Sequence, residues 1–293
     1  MKAYLFPGQG AQFAGMGTAL VEAGNPAVDR MMRQAKEILE YDLLELMVNG
    51  TDEDLKRTDV TQPALFVHAL AKLEASGQGD DMAAAAGHSL GEFSALVAAG
   101  VLSFEDGLSL VKTRANAMQH ACEINKGTMA AIVGMEDADV ERICDEIEEI
   151  VVPANYNTLG QIVISGSMAG IDAAVEALKS AGAKRAIVLQ VGGAFHSPLM
   201  EPAKEELAAK INEMTFYSPR CPVYQNVDAR PHTDSAEIKD NLIKQLTSPV
   251  RWTDTMQQML EDGMTEMVEV GGNGKVLRGL MRRIDRHFPI EAL

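Results

Sequence analysis

The stretch Ala83-Ala84-Ala85-Ala86-Gly87-His88-Ser89-Leu90-Gly91-Glu92 sets one serine between two glycines inside an apolar run, with a histidine before it and a glutamate three residues after. Gly87 to Gly91 has the form Gly-x-Ser-x-Gly, in which a serine nucleophile sits on a tight strand-to-helix turn. Both glycines are needed for room, because a side chain two positions to either side would crowd the turn. The helix that follows points its first N–H groups to where negative charge develops in acyl transfer. The competing reading of Ser89 is a plain helix cap. At ordinary usage of ~7% each for Gly and Ser, about one chain in ten of this length holds the pattern by chance. Its context, an apolar strand before and a helix after, is what strengthens it.

A serine hydroxyl needs a base to take its proton. Six histidines are available. His88 adjoins Ser89, but successive side chains diverge on such a turn. His68 lies in an apolar helix as a core residue, His120 late on a helix, and His232 and His287 in polar segments. His196, in Gly192-Gly193-Ala194-Phe195-His196-Ser197-Pro198, stands just past a strand and before a helix that Pro198 can start. Open α/β sheets carry active-site residues at such strand ends. A capping or core role is the alternative for His196.

The elements that must position these residues alternate. Residues 2–6 form a strand that ends at Pro7-Gly8-Gln9-Gly10, and residues 26–40 and 61–75 carry helical spacing. Thr51-Asp52-Glu53-Asp54 is a capping-box helix start. A strand at 82–87 and a helix at 91–99 flank Ser89, and a helix capped at Ser103 runs to about residue 121. This order implies a largely parallel sheet covered on both faces. The middle differs: strand 127–135, helix 137–150, strands 151–157 and 161–166, helix 169–182 and strand 184–191 make a β-α-β-β-α-β, ferredoxin-like unit. Helices at 197–212, 235–246, 253–262 and 275–286 and a strand at 265–270 resume the first pattern. The expected fold is α/β, with a large subdomain of residues 1–124 and 196–293 and a small ferredoxin-like subdomain, residues 125–195, inserted into it.

Composition narrows the function. With 42 acidic and 26 basic side chains the formal charge is −16, a field that opposes nucleic acid and anionic membrane surfaces. No apolar run approaches the ~20 residues of a membrane span, and the start is too short before Pro7 and Gly8 for a signal-peptide core. The three cysteines lack Cys-x-x-Cys spacing, so neither a disulfide framework nor a zinc or other metal site is expected. These features read as a cytoplasmic protein.

The chain resembles the malonyl-CoA:acyl carrier protein transacylases almost end to end. The resemblance rests on residues 7–12 (PGQGAQ), 87–96 (GHSLGEFSAL), 112–118 (KTRANAM), 193–197 (GAFHS), 225–229 (QNVDA) and 248–252 (SPVRW), in that order. It implies a hydrolase-like large subdomain and transfer of malonyl from malonyl-CoA to acyl carrier protein, for fatty acid synthesis, with no cofactor beyond the thioester. Ser89 then resembles the nucleophile and His196 its base. Gln9 and Leu90 would supply oxyanion N–H groups, Arg114 would pair with the malonyl carboxylate, and Phe195 matches the form associated with malonyl selectivity. A backbone carbonyl would orient His196, with Asp228 as the alternative. Without the resemblance, Arg114 reads as a surface helix charge.

Two departures stand out. Glu269-Val270-Gly271-Gly272-Asn273-Gly274-Lys275 is one residue longer than the family's form, and Arg251 stands where relatives carry Gln. For the acidic carrier protein, Lys184 and Arg185 offer one basic patch. Lys275, Arg278, Arg282 and Arg286, with Arg283 beside them, offer a second as a helical stripe. Both Lys184–Arg185 and Arg282–Arg283 match positions where family members present basic residues to the carrier. The rival functions are a serine esterase or thioesterase, a broad acyltransferase of polyketide synthesis, and a non-enzymatic carrier-docking module.

Overall fold

The computed structural model describes residues 1–293. Its strands are β1 (Lys2–Phe6), β2 (Met82–Gly87), β3 (Gly127–Val133), β4 (Val151–Thr158), β5 (Gln161–Ser167), β6 (Arg185–Val188), β7 (Val223–Tyr224), β8 (Pro231–His232), β9 (Glu266–Glu269) and β10 (Ile290–Ala292). Its helices are α1 (Thr18–Glu22), α2 (Pro26–Leu39), α3 (Leu43–Asn49), α4 (Thr58–Ser76), α5 (Gly91–Ala98), α6 (Phe104–Ile124), α7 (Asp137–Asp145), α8 (Met168–Ser180), α9 (Glu201–Glu213), α10 (Ser235–Lys244), α11 (Trp252–Glu261) and α12 (Val276–Ile284).

The larger sheet has the order β10-β9-β1-β2-β7-β8, parallel except for the edge strand β8. β1 and β2 lie at its centre and are buried on both faces. The alanines of β2 suit that place. Ala84 and Ala86 face a core built around Trp252, and Ala85 faces the main core under α4, α5 and α6. Four parallel strands, β1, β2, β7 and β9, end on the same side, and their carboxyl ends deliver the loops at Gly8, Ser89, Gln225 and Gly271. Open parallel sheets place their sites at that edge.

The second sheet is antiparallel, β4-β5-β3-β6, the ferredoxin-like order. Ala130, Ile132, Ile162 and Ile164 pack under α7 and α8, whereas Met129 and Val163 on the opposite face join the main core. Parallel pairing of Asn155 with Val250 ties β4 to the segment before α11.

Several expectations are corrected. The capping box at Thr51 closes, with Thr51 and Asp54 bonded to each other, but it opens only the single 3-10 turn Asp54–Lys56. The long helix begins instead at Thr58 and absorbs Pro63. The missing Pro63 N–H leaves the Asp59 carbonyl free, and the Tyr41 hydroxyl donates to it at 2.9 Å. The helix expected over 137–150 stops at Asp145. The residues beyond include Glu146, Glu148 and Glu149, acids that a helix C-terminus disfavours. The basic stripe is cut as well: α12 ends at Ile284, so Arg286 lies past it and off the helix.

Candidate active site

The glycines of the Gly87–Gly91 turn are fixed by contact distances. A Cβ on Gly87 would fall 1.9 Å from the Gly91 carbonyl carbon, and one on Gly91 would fall 1.9 Å from the Phe6 oxygen. Between them Ser89 takes φ 53°, a left-handed conformation that a non-glycine residue enters at a cost of about 1–3 kcal/mol. Side chains from distant segments hold it there. The Ser89 N–H donates to Asn226 Oδ1 at 2.7 Å, and Asn226 Nδ2 donates to the Gly87 carbonyl at 2.7 Å. Gln245 Nε2 donates to the Ser89 carbonyl at 3.0 Å. Buried Glu92 secures this frame by accepting from the Asn226 N–H at 2.9 Å and from Gln225 Nε2 at 3.1 Å.

His196 meets the serine. Ser89 Oγ lies 2.7 Å from His196 Nε2. His196 Nδ1 faces the carbonyls of Gln245 at 3.0 Å and Ser248 at 3.1 Å. A carbonyl can only accept, so Nδ1 carries the proton and Nε2 is left to accept from the serine hydroxyl. Burial, and then the nearby Arg114 cation, push the His196 imidazole down to about 3, which keeps it neutral. Asp228, the alternative orienter, is engaged elsewhere, with His232 Nε2 at 2.8 Å. His88 turns away, with Nε2 on Asn157 Oδ1 at 2.8 Å and its ring against Trp252.

Arg114 is 1% exposed. It lies on the stripe Gly107, Val111, Arg114, Met118, Ala121, the buried side of α6. Nη1 donates to Gln62 Oε1 at 2.7 Å, Nη2 donates to Ser89 Oγ at 3.0 Å, and Nε has no partner. Phe93 lies against the guanidinium, 5.6 Å from ring centroid to Cζ. Burial draws Arg114 down to about 10, and Glu92 opposes that fall, so the group stays cationic. The site therefore holds a buried, charged fork whose partners are neutral oxygens and which reaches the serine.

The N–H groups of Gln9 and Leu90 donate no hydrogen bond within the protein. Leu90 opens α5, and Gln9 lies on the loop after β1. The Gly271–Gly274 loop braces that same loop through the Asn273 N–H, which donates to the Ala11 carbonyl at 2.9 Å, and is tied to α4 by the Gly272 N–H, which donates to His68 Nδ1 at 3.0 Å. His68, held neutral by burial at about 4, is thus a structural acceptor. Phe195 is buried in the main core next to His196. Arg251 is exposed and pairs with Asp254, away from the histidine.

Lys184 and Arg185 are exposed at the start of β6, and Arg282 and Arg283 on α12. The two patches share one end of the small sheet. Arg283 Nη1 donates to Gln161 Oε1 at 3.1 Å, Gln161 pairs with Val133, and Val133 pairs with Arg185. Reasoning from sequence missed Gln62, Glu92, Asn226 and Gln245 as parts of the site. Asn226 and Glu92 stood inside quoted motifs, whereas Gln62 and Gln245 carried no local signal.

The fold and this constellation define an α/β enzyme of acyl transfer. The chain belongs to the acyl transferase domain family, which it matches over residues 3–290. It is 44% identical over 292 residues to a malonyl CoA-acyl carrier protein transacylase of Bacillus subtilis (strain 168), covering 98% of this chain and 91% of that one. It is 43% identical over 286 residues to the transacylase of the same name from Escherichia coli (strain K12), covering 96% and 92%. The solved malonyl CoA-acyl carrier protein transacylase of Coxiella burnetii superposes with a TM-score of 0.94 at 40% identity, covering 100% and 93%. A malonyl-transacylase solved in complex with its type II PKS acyl-carrier protein superposes at 0.92 with 39% identity, covering 99% and 94%.

Proposed function

We propose that this chain transfers malonyl from malonyl-CoA to the phosphopantetheine thiol of acyl carrier protein, through a malonyl ester on Ser89, and so supplies extender units for fatty acid synthesis. The observation that carries the reading is Arg114, a buried guanidinium with its Nη2 on Ser89 Oγ. Burying an unpaired cation is costly, and the cost has a use where an anion arrives with the substrate. The planar fork matches both oxygens of a carboxylate, which malonyl has and acetyl lacks.

The steps follow from the geometry. Ser89 Oγ attacks the thioester carbonyl as His196 Nε2 takes its proton. The tetrahedral oxyanion is held by the N–H groups of Gln9 and Leu90, and losing one such donor costs about 3–4 kcal/mol. Collapse expels the coenzyme A thiolate, which takes the proton from His196. The carrier thiol then enters, gives its proton to His196, attacks the ester, and the sequence reverses to free Ser89. The Gln245 and Ser248 carbonyls keep the imidazole in one tautomer throughout, which supports a mechanism with no acidic third member. The thioester is itself the activated group, so the reading takes no cofactor.

The small sheet, within the inserted unit of residues 125–195, and α12 would form the carrier-facing rim. Lys184, Arg185, Arg282 and Arg283 give it local positive charge within a chain of net charge −16. Brief exposure to malonyl-CoA followed by intact mass measurement, with and without carrier protein, tests the reading. One malonyl group should appear on the peptide holding Ser89 and pass to added carrier, and Ser89→Ala should acquire none. Steady consumption of malonyl-CoA without acceptor would make the enzyme a hydrolase instead.

A further inference from the structure

We infer that the side chain of Gln245 is a positioning residue for the oxyanion donor, acting through the peptide unit that joins Ser89 to Leu90. The inference rests on the acyl-ester reading given above. The carbonyl of Ser89 and the N–H of Leu90 belong to one planar amide. Gln245 Nε2 donates to that carbonyl at 3.0 Å, and the Glu92 N–H donates to it at 3.0 Å as well. The Leu90 N–H, which points the opposite way within the plane, makes no bond within the protein. Holding the oxygen end of a rigid plane at two points fixes the direction of its N–H. A carbonyl that accepts two hydrogen bonds also polarises its amide, which makes the N–H a stronger donor.

The same residue reaches the base by another route. The main-chain carbonyl of Gln245 accepts from His196 Nδ1 at 3.0 Å, and the residue is 1% exposed. One residue therefore references both the imidazole and the oxyanion amide to a single point at the end of α10. The two routes separate chemically: substitution of the side chain removes the Nε2 donor and leaves the carbonyl in place, with the Ser248 carbonyl beside it.

Gln245→Met keeps the length and loses the donor, and Gln245→Leu loses it in a branched side chain that cannot donate at any pH. The probe is malonyl-CoA labelled with carbon-13 at the thioester carbonyl, with infrared measurement of the ester band on Ser89. Weaker polarisation should move that band to higher wavenumber in both variants. Removing a whole oxyanion donor costs about 100- to 1000-fold in kcat. Here the Glu92 N–H still holds the carbonyl, so the expected loss in kcat is about 10- to 100-fold, with KM for malonyl-CoA within about threefold of wild type. Should Gln245→Met fail to fold by circular dichroism, Gln245→Leu carries the same comparison. A band that stays put in a folded variant overturns the inference, whether or not kcat falls, and so does a loss confined to KM. A wild-type enzyme that shows no labelled ester band removes the acyl-ester reading and this inference with it.

Discussion

Arg114 Nη2 lies 3.0 Å from Ser89 Oγ, and Nε on the same guanidinium finds no acceptor. A cation beside the Ser89 hydroxyl whose hydrogen-bond partners are all neutral is poised for an anionic substrate. Arg114→Ala should therefore weaken malonyl transfer far more than acetyl transfer. Truncating one partner of a desolvated bidentate pair costs about 2–4 kcal/mol, or about 30- to 1000-fold in kcat/KM. Acetyl-CoA has no carboxylate to lose, so the ratio of acetyl to malonyl transfer should rise steeply. Equal losses with both thioesters would make Arg114 a structural residue.

As the proposed base, His196 should set the pH behaviour. Burial first and Arg114 second hold its imidazole at about 3, against an ordinary 6.5. A base that stays neutral through the ordinary range gives acylation kinetics with no inflection near 6.5. Stopped-flow release of coenzyme A across that range should be flat, with the acid limb appearing only well below it. The sign for stability follows from the same shift. Between about 3 and 6.5 the unfolded chain binds a proton at this histidine and the folded chain does not, so stability falls as pH falls through that window. His68, held at about 4, adds to the same slope. An acylation inflection near 6.5 would mean that His196 is not buried as described. His196→Ala should slow acylation by about 100- to 10,000-fold while substrate binding stays near normal.

Asn226 carries a separate prediction. Its amide satisfies Ser89 N–H and Gly87 C=O together, in a fully buried position. Asn226→Ala leaves both groups unpaired, at about 1–3 kcal/mol each. Urea denaturation should register about 2–6 kcal/mol of lost stability, and kcat should fall as Ser89 relaxes from φ 53°. A variant with wild-type stability and turnover would show that the turn holds itself.

What the sequence revealed, and what it hid, divides along chain distance. Ser89 was legible because the glycines, strand and helix that define it lie within a few residues. His196 was placed by its loop, but its partner Ser89 lies 107 residues away. Without the family resemblance Arg114 reads as a surface charge, yet it falls on the apolar stripe of α6, a spacing that argues for burial. Gln245 and Asn226 act on Ser89 across 156 and 137 residues, and an isolated polar residue gives no sign of a partner that remote. The strands β7, β8 and β10, of two or three residues, are too short to show a period. Helices α1 and α3, one to two turns long, are too short to show one either.

The last prediction concerns the carrier protein. Acyl carrier proteins are acidic, and a chain of net charge −16 repels them at long range, so docking needs a local reversal of sign. Two basic pairs that are remote in sequence, Lys184–Arg185 and Arg282–Arg283, meet at one end of the small sheet through the Arg283–Gln161 bond and the Gln161–Val133–Arg185 register. Convergence favours one face over two alternatives. The competing account is that the arginines late in α12 only complement the helix dipole. The double variant Arg282→Glu, Arg283→Glu separates the two. Docking charge acts mainly on encounter, so KM for carrier protein should rise at low ionic strength while acylation from malonyl-CoA keeps its rate. Added salt should weaken wild-type transfer and close the gap between the two proteins, because exposed charges are screened over about 10 Å at 0.1 M. If the dipole account holds, the double variant loses thermal stability and its carrier KM does not move at low salt. That outcome would remove α12 from the docking face and leave Lys184 and Arg185 as the pair to reverse.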